Sequence, residues 1–386
     1  MVPVNCKIRD CGNCEDSDQS TIYINMSKII FPFRITCVLA VILLVSSCSD
    51  QESRIIGAKI YEFDGDPLVL IAKWKAVGIN TAFISKDLSR NKEFTDKLRE
   101  FGIPFYIIWP VFQDPPAINN DSTLYAILDN GKKAREGWLR FICPSRKAYR
   151  QMQVDSIGWY AENVKPDGMS IDFIRQFVYW EMIYPDRNPA SIHNACYCDS
   201  CYHQFLETNA IAGPDSVVSI PDRAAFLNSM HGKEWDRFRC DLITSMARDF
   251  HERIKEIDPG IYINLHIVPW RDKDFESAVT HIAAQDVHEL AHFADYISPM
   301  CYSQMLKRNS TWISDVVKDL QVKAPGKVLA SIQVYPYYVD NPFPPDSLRA
   351  CLIESLKPPS NGVVFWSWPL LEQDPVRVRI VMDEVK

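Results

Sequence analysis

Eight short apolar stretches, alternating with helical patterns along residues 55–368, constrain this chain more than any other feature in it. They fall at 55–61, 79–85, 104–109, 169–174, 261–268, within 295–302, at 328–335 and at 362–368. Each is a short run of branched and aromatic side chains bounded by Gly, Pro or polar residues, the pattern of a buried strand. Helical patterns lie at 67–77, 91–101, 146–163, 234–257 and 375–385, and another starts near Cys198. Gly78 and Gly102 stand where helices stop. Most of the strands have such a pattern after them. Strands this apolar, each followed by a helix, call for a parallel sheet covered by helices. Eight such units predict a (β/α)8 TIM barrel over 55–386. An open doubly wound sheet accounts less well for so many similar units. The span exceeds the ~250 residues typical of the fold, and the excess follows strands three, four and five.

In a barrel of this kind the chemistry sits at the carboxyl ends of the strands. The fourth strand begins at Asp167-Gly168 and carries Asp172 among apolar neighbours, with Arg175 three residues on. A carboxylate there is costly unless it is paired or at work. Either it belongs to an active rim, or Asp172 and Arg175 form a couple that only pins a loop. The other strand ends supply Asp64, Lys86, Trp109, Asp114, His266, Trp270, Tyr302, Gln333, Tyr335, Trp366 and Trp368. Of these, Trp109, Arg175, His266, Trp270, Tyr302, Gln333, Trp366 and Trp368 are the candidate substrate contacts. Taken singly, each Trp is better explained by core packing. Together they predict a ringed, sugar-sized pocket, since flat rings form platforms for sugar faces.

Glycoside hydrolysis generally requires two carboxyl groups. Asp172 is the first. Glu181, on the long aromatic loop 176–195 after strand four, is the chosen partner, ahead of Asp114, Asp272 and Asp64. A solvated loop position explains Glu181 equally well. Such chemistry needs no catalytic cofactor. The net charge of -7 and the lack of a basic run exclude a nucleic-acid partner.

Three thiols crowd into Cys196-Tyr197-Cys198-Asp199-Ser200-Cys201, and Cys143 is the natural fourth. Four thiolates suit a closed structural zinc site. Disulfides are the rival reading in an oxidising compartment, and reduced buried thiols are the third. Cys240, Cys301 and Cys351 fall inside helix or strand patterns and read as small core residues.

At the amino end, Lys28 and Arg34 flank an apolar run at 35–45, followed by Ser46-Ser47-Cys48. That is a secretory signal, shorter than the ~20 residues of a spanning helix. Val45-Ser46-Ser47-Cys48 resembles a lipobox, which implies lipidation at Cys48. On that reading residues 26–48 are a lipoprotein signal peptide and 49–54 a tether. Residues 1–25 read as an over-extended start ahead of Met26. The expected location is lipid-anchored outside the cytoplasm, at the outer membrane.

The Cys143-Pro144-Ser145-Arg146 segment and the 196–205 segment resemble the paired Cys segments of family 42 beta-galactosidases, in which these positions bind a structural zinc. Asp167-Gly168 with Ile171-Asp172-Phe173-Ile174-Arg175 is similar to strand four of glycosyl-hydrolase-like barrel families found in bacterial lipoproteins. The 295–302 and 362–368 segments resemble strands six and eight of the same group. The Asn-Glu pair that a family 42 enzyme carries at strand four is absent, and strand seven lacks its Glu. The Asp167-Gly168 start also resembles family 18 chitinases, whose acid position falls on Ile174 here. The resemblance therefore implies a glycosidase-like barrel with Asp172 carried over, and no specific mechanism. The expected function is hydrolysis of an extracytoplasmic glycan. The alternatives are a carbohydrate-binding barrel that has lost a carboxylate, and a structural lipoprotein whose rim is filled by its own side chains.

Overall fold

A computed structural model describes residues 54–214 and 216–385 of the chain. The expected signal segment 26–48 with Cys48, the tether at 49–53 and the stretch 1–25 lie outside the described residues. Eight parallel strands follow one another around a barrel: β1 (Ile55–Ile60), β2 (Thr81–Ser85), β3 (Phe105–Pro110), β4 (Gly168–Asp172), β5 (Tyr262–Ile267), β6 (Tyr296–Pro299), β7 (Ala330–Gln333) and β8 (Gly362–Trp366). Seven neighbouring pairs form regular ladders, β1 with β8 among them. Between β6 and β7 the ring closes through the bridges Ile297↔Val328 and Met300↔Ser331. The expected barrel is therefore the observed fold.

Local chemistry sets the helices. α1 (Pro67–Val77) starts with Asp66 accepting from the Leu68 N–H and ends at Gly78, whose φ of 92° suits only glycine well. α2 (Lys92–Glu100) is capped by Asn91. α3 (Lys147–Asn163), α4 (Asp199–Thr208), α5 (Ile220–Met230), α6 (Gly232–Ile257), α7 (Thr311–Lys323), α8 (Pro345–Leu356) and α9 (Pro375–Glu384) complete the coat. The unit after β5 departs from the pattern. It has only short turns of helix, Ala278–His281 and Val287–Leu290.

The barrel interior is filled in layers. Phe83 and Tyr106 stack with ring centroids 4.9 Å apart and pack with Ile108, Leu329 and Val364. Two glycines make room for these rings. A Cβ at Gly57 would press on Phe83, and one at Gly168 would overlap the Tyr106 ring. Along β4 the alternate positions Gly168, Ser170 and Asp172 share the inner face. The layer above the rings is polar and buried: Ser170, Asn264, His266, Ser298 and Ser331. Gly168→Ala is therefore expected to lower stability by about 1–3 kcal/mol, the usual cost of overpacking. Chemical denaturation of the variant against wild type measures this.

Candidate active site

A cavity of about 720 Å³ opens at the carboxyl ends of the strands, within the size range of small-ligand sites. Asp172, the last residue of β4, lines it and is only 8% exposed. Its Oδ1 accepts from the Phe173 N–H at 2.7 Å. Phe173 takes a left-handed φ of 53°, which turns the chain sharply past the carboxylate.

Glu181 lies in the same cavity wall, in the one-turn helix Trp180–Met182 of the loop after β4. It is 6% exposed, and its Oε2 has no hydrogen-bond partner. Burial pushes its pKa up to about 7; the Arg175 charge opposes the rise and the Asp172 charge adds to it. The two carboxyl groups thus differ in setting: Glu181 keeps one oxygen without a partner and is raised by burial, while Asp172 accepts from the Phe173 N–H.

Arg175 does not pair with Asp172. Its Nη1 donates to the carbonyls of Gln176 at 3.1 Å and Val178 at 2.8 Å, and its guanidinium lies 4.7 Å from the Phe141 ring centroid. Burial lowers its pKa to about 10, while the charges of Glu181 and Asp172 hold it up. The expected Asp172–Arg175 couple and the substrate contact of Arg175 are both corrected: Arg175 does not line the cavity, and it shapes the loop that presents Glu181.

Aromatic rings do surround the cavity, although only some are the expected ones. Tyr302 and Trp366 line it and stack at 4.7 Å. Trp109, Trp270 and Trp368 do not line it. Trp109 is out of phase with its neighbours Ile108 and Pro110, so it points into the helix layer, where Nε1 donates to Gln153 at 2.9 Å. Trp270 packs on Phe275 at 5.4 Å, and Trp368 meets Trp74 edge-on at 6.1 Å. Gln333 is also corrected. Its amide donates to Gln304 at 2.9 Å and to the Tyr335 carbonyl, and accepts from the Met305 N–H, so it ties the β6 and β7 ends together. His266 lies inside the barrel, with Nε2 2.9 Å from the Ser170 hydroxyl. Burial lowers its pKa to about 3, so it is neutral there. Lys86 and Asp114 line the cavity; Asp114 also caps a short helix through the Ala117 N–H. Asp64 and Tyr335 are not among the lining residues, and Asp272 pairs with Lys323 at the surface.

The cavity has lining residues that sequence reasoning passed over. Lys59 and Tyr61 come from the end of β1, and Trp138, Tyr337 and Tyr338 come from loops. Lys59 left a signal, a lone charge inside the apolar run at 55–60. The loop aromatics left none. Trp138 sits at the turn of a two-stranded ribbon, Arg135–Glu136 with Leu139–Arg140, and its Nε1 donates to the Tyr338 hydroxyl.

Cys143, Cys196, Cys198 and Cys201 come together as expected. All four are buried, and their sulfurs lie within 4.8 Å of one another. Cys143 Sγ is 3.5 Å from Cys198 Sγ and 3.4 Å from Cys201 Sγ, well beyond the ~2.05 Å of a disulfide. All four thiols are free. The donor set fits a metal ion in chemistry and burial.

No protein-family model matches this sequence, and no curated protein does. Solved structures do match in fold. The glycoside hydrolase domain of PgaB (BpsB) from Bordetella bronchiseptica superposes with a TM-score of 0.65 at 12% identity, over 86% of this chain and 99% of that one. The beta-galactosidase from the psychrophilic Marinomonas ef1 gives 0.62 at 10% identity, over 85% of this chain and 58% of its own. A GH42 beta-galactosidase from G. stearothermophilus gives 0.61 at 13% identity, over 87% and 57%. The chain thus spans nearly all of the first and little more than half of each galactosidase.

Glu181 is expected to titrate near pH 7 by difference infrared spectroscopy, and its pKa to fall in Asp172→Asn, because the neighbouring negative charge that raises it is gone.

Proposed function

We propose that this protein is a glycoside hydrolase acting on an extracytoplasmic glycan, with Asp172 and Glu181 as its two carboxyl groups. The observation that carries this reading is the contrast between them in one cavity. Glu181 is buried with its Oε2 unpartnered, and burial pushes its pKa up to about 7, so it keeps a proton at mildly acidic to neutral pH. That suits a general acid protonating the leaving oxygen. Asp172 serves as the nucleophile, or as the base that activates water. Tyr302, Trp366, Tyr337 and Trp138 supply faces on which sugar rings stack. The similarity in fold to glycoside hydrolases adds support.

The signal segment and Cys48 support export and a lipid anchor at the outer membrane. We also infer that the four cysteines hold a structural zinc. They join the loop after β3, which carries Trp138, to the loop after β4, which carries Glu181. When bound, zinc would fix the two loops and take no part in the reaction.

Hydrolysis across a broad glycan panel tests the function. Glu181→Gln is expected to lose about 10²–10⁴ in kcat on natural glycosides, and much less on aryl glycosides whose leaving group needs no proton. The wild-type rate should fall as pH rises through about 7, where Glu181 gives up its proton. Binding without hydrolysis over the whole panel would make the protein a carbohydrate-binding barrel instead. For the cysteines, the expected result is about one zinc per chain by elemental analysis, and a lower melting temperature after chelation.

A further inference from the structure

Lys59 is an ammonium inside a barrel. It is 1% exposed, yet it lines the cavity that holds Asp172 and Glu181. It alternates with Gly57 and Tyr61 along β1 and so shares the inner face with them. No group among the described residues accepts a hydrogen bond from its Nζ or forms a close ion pair with it. Its charged surroundings are few. Asp172 faces it from β4 and His266 from β5, with Tyr61 beyond it in sequence. Asp172 in turn faces Glu181, Arg175 and Tyr302. The neutral imidazole of His266 is engaged with Ser170 and gives Lys59 no counter-charge.

A cation buried without hydrogen-bond partners opposes folding. Burial lowers the Lys59 pKa to about 8, against the pull of Asp172. Folds keep such groups where a ligand completes them. The ligand here must bring acceptor oxygens to three N–H donors, close to the carboxylate at the end of β4.

We propose that Lys59 is a substrate-contacting residue, whose ammonium donates to hydroxyl oxygens of the sugar seated against Asp172. The proposal rests on the glycan-site reading above and deepens it. The donors fix the sugar over the carboxylate at the end of β4.

Lys59→Met keeps the side-chain length and removes the charge. Wild-type Lys59 holds its proton less tightly folded than unfolded, so its charge opposes folding below pH about 8 and ceases to above the ordinary lysine range. K59M should therefore melt higher than wild type at pH 7, by a margin that closes toward about pH 10. Its kcat should fall about a hundredfold or more. A K59M that melts lower at pH 7 and keeps the wild-type rate makes Lys59 a structural residue and overturns the proposal. If wild type hydrolyses no glycan, the hydrolase reading falls by itself. A K59M that then melts higher, with the margin closing at alkaline pH, still assigns Lys59 to a ligand, and one that melts lower removes that assignment as well.

Discussion

The structure depends on the pleat of a closed parallel sheet. Once eight strands are bonded into a ring, every second side chain must enter a space of fixed width, and the remainder must meet the helices. Phe83 and Tyr106 can stack across that space because Gly57 and Gly168 present no side chain to them. Above these rings the interior turns polar, and Lys59 and Asp172 stand at its open end. The site is thus the end of a series of layers whose lower members are ordinary packing.

What surrounds that end is built by loops. The segment after β3 brings Trp138, and the segment after β4 brings Glu181. The four cysteines join the two segments away from the cavity. Arg175 contributes in the same sense. Its bonds to the Gln176 and Val178 carbonyls shape the start of the loop that presents Glu181, and its charge limits how far burial can raise that carboxyl. Stability in these loops comes from groups that do not touch the cavity. Two groups that do touch it, the Glu181 Oε2 and the Lys59 ammonium, lack hydrogen-bond partners. That division is typical of sites where polar groups are held ready for a ligand at some expense to folding.

Much of this was legible in the chain. The strand–helix alternation, with Gly78 and Gly102 closing helices, determined the barrel, because an apolar strand followed by a helix has few other ways to bury itself. The crowding of Cys196, Cys198 and Cys201, with Cys143 as fourth, likewise foretold a thiol cluster. Asp172 was legible as a charge in an apolar strand, and Lys59 carried the same signal within residues 55–60.

Only the tertiary structure decided which side chains face the cavity. A shift of one residue at a strand end reverses a side chain's direction, so Trp109 went to the helix layer while Pro110 and Ile108 lined the site. Gln333 is tied to Gln304, Met305 and Tyr335, and Arg175 to two backbone carbonyls, none of which a linear pattern reveals. Tyr337, Tyr338 and Trp138 reach the rim on loops, which have no periodicity to betray direction. The local pattern thus determined the barrel and its buried charges, since periodicity and burial are written residue by residue. The partners and bearing of each side chain at the rim depend on contacts between segments far apart in sequence, and these exist only once the ring has closed.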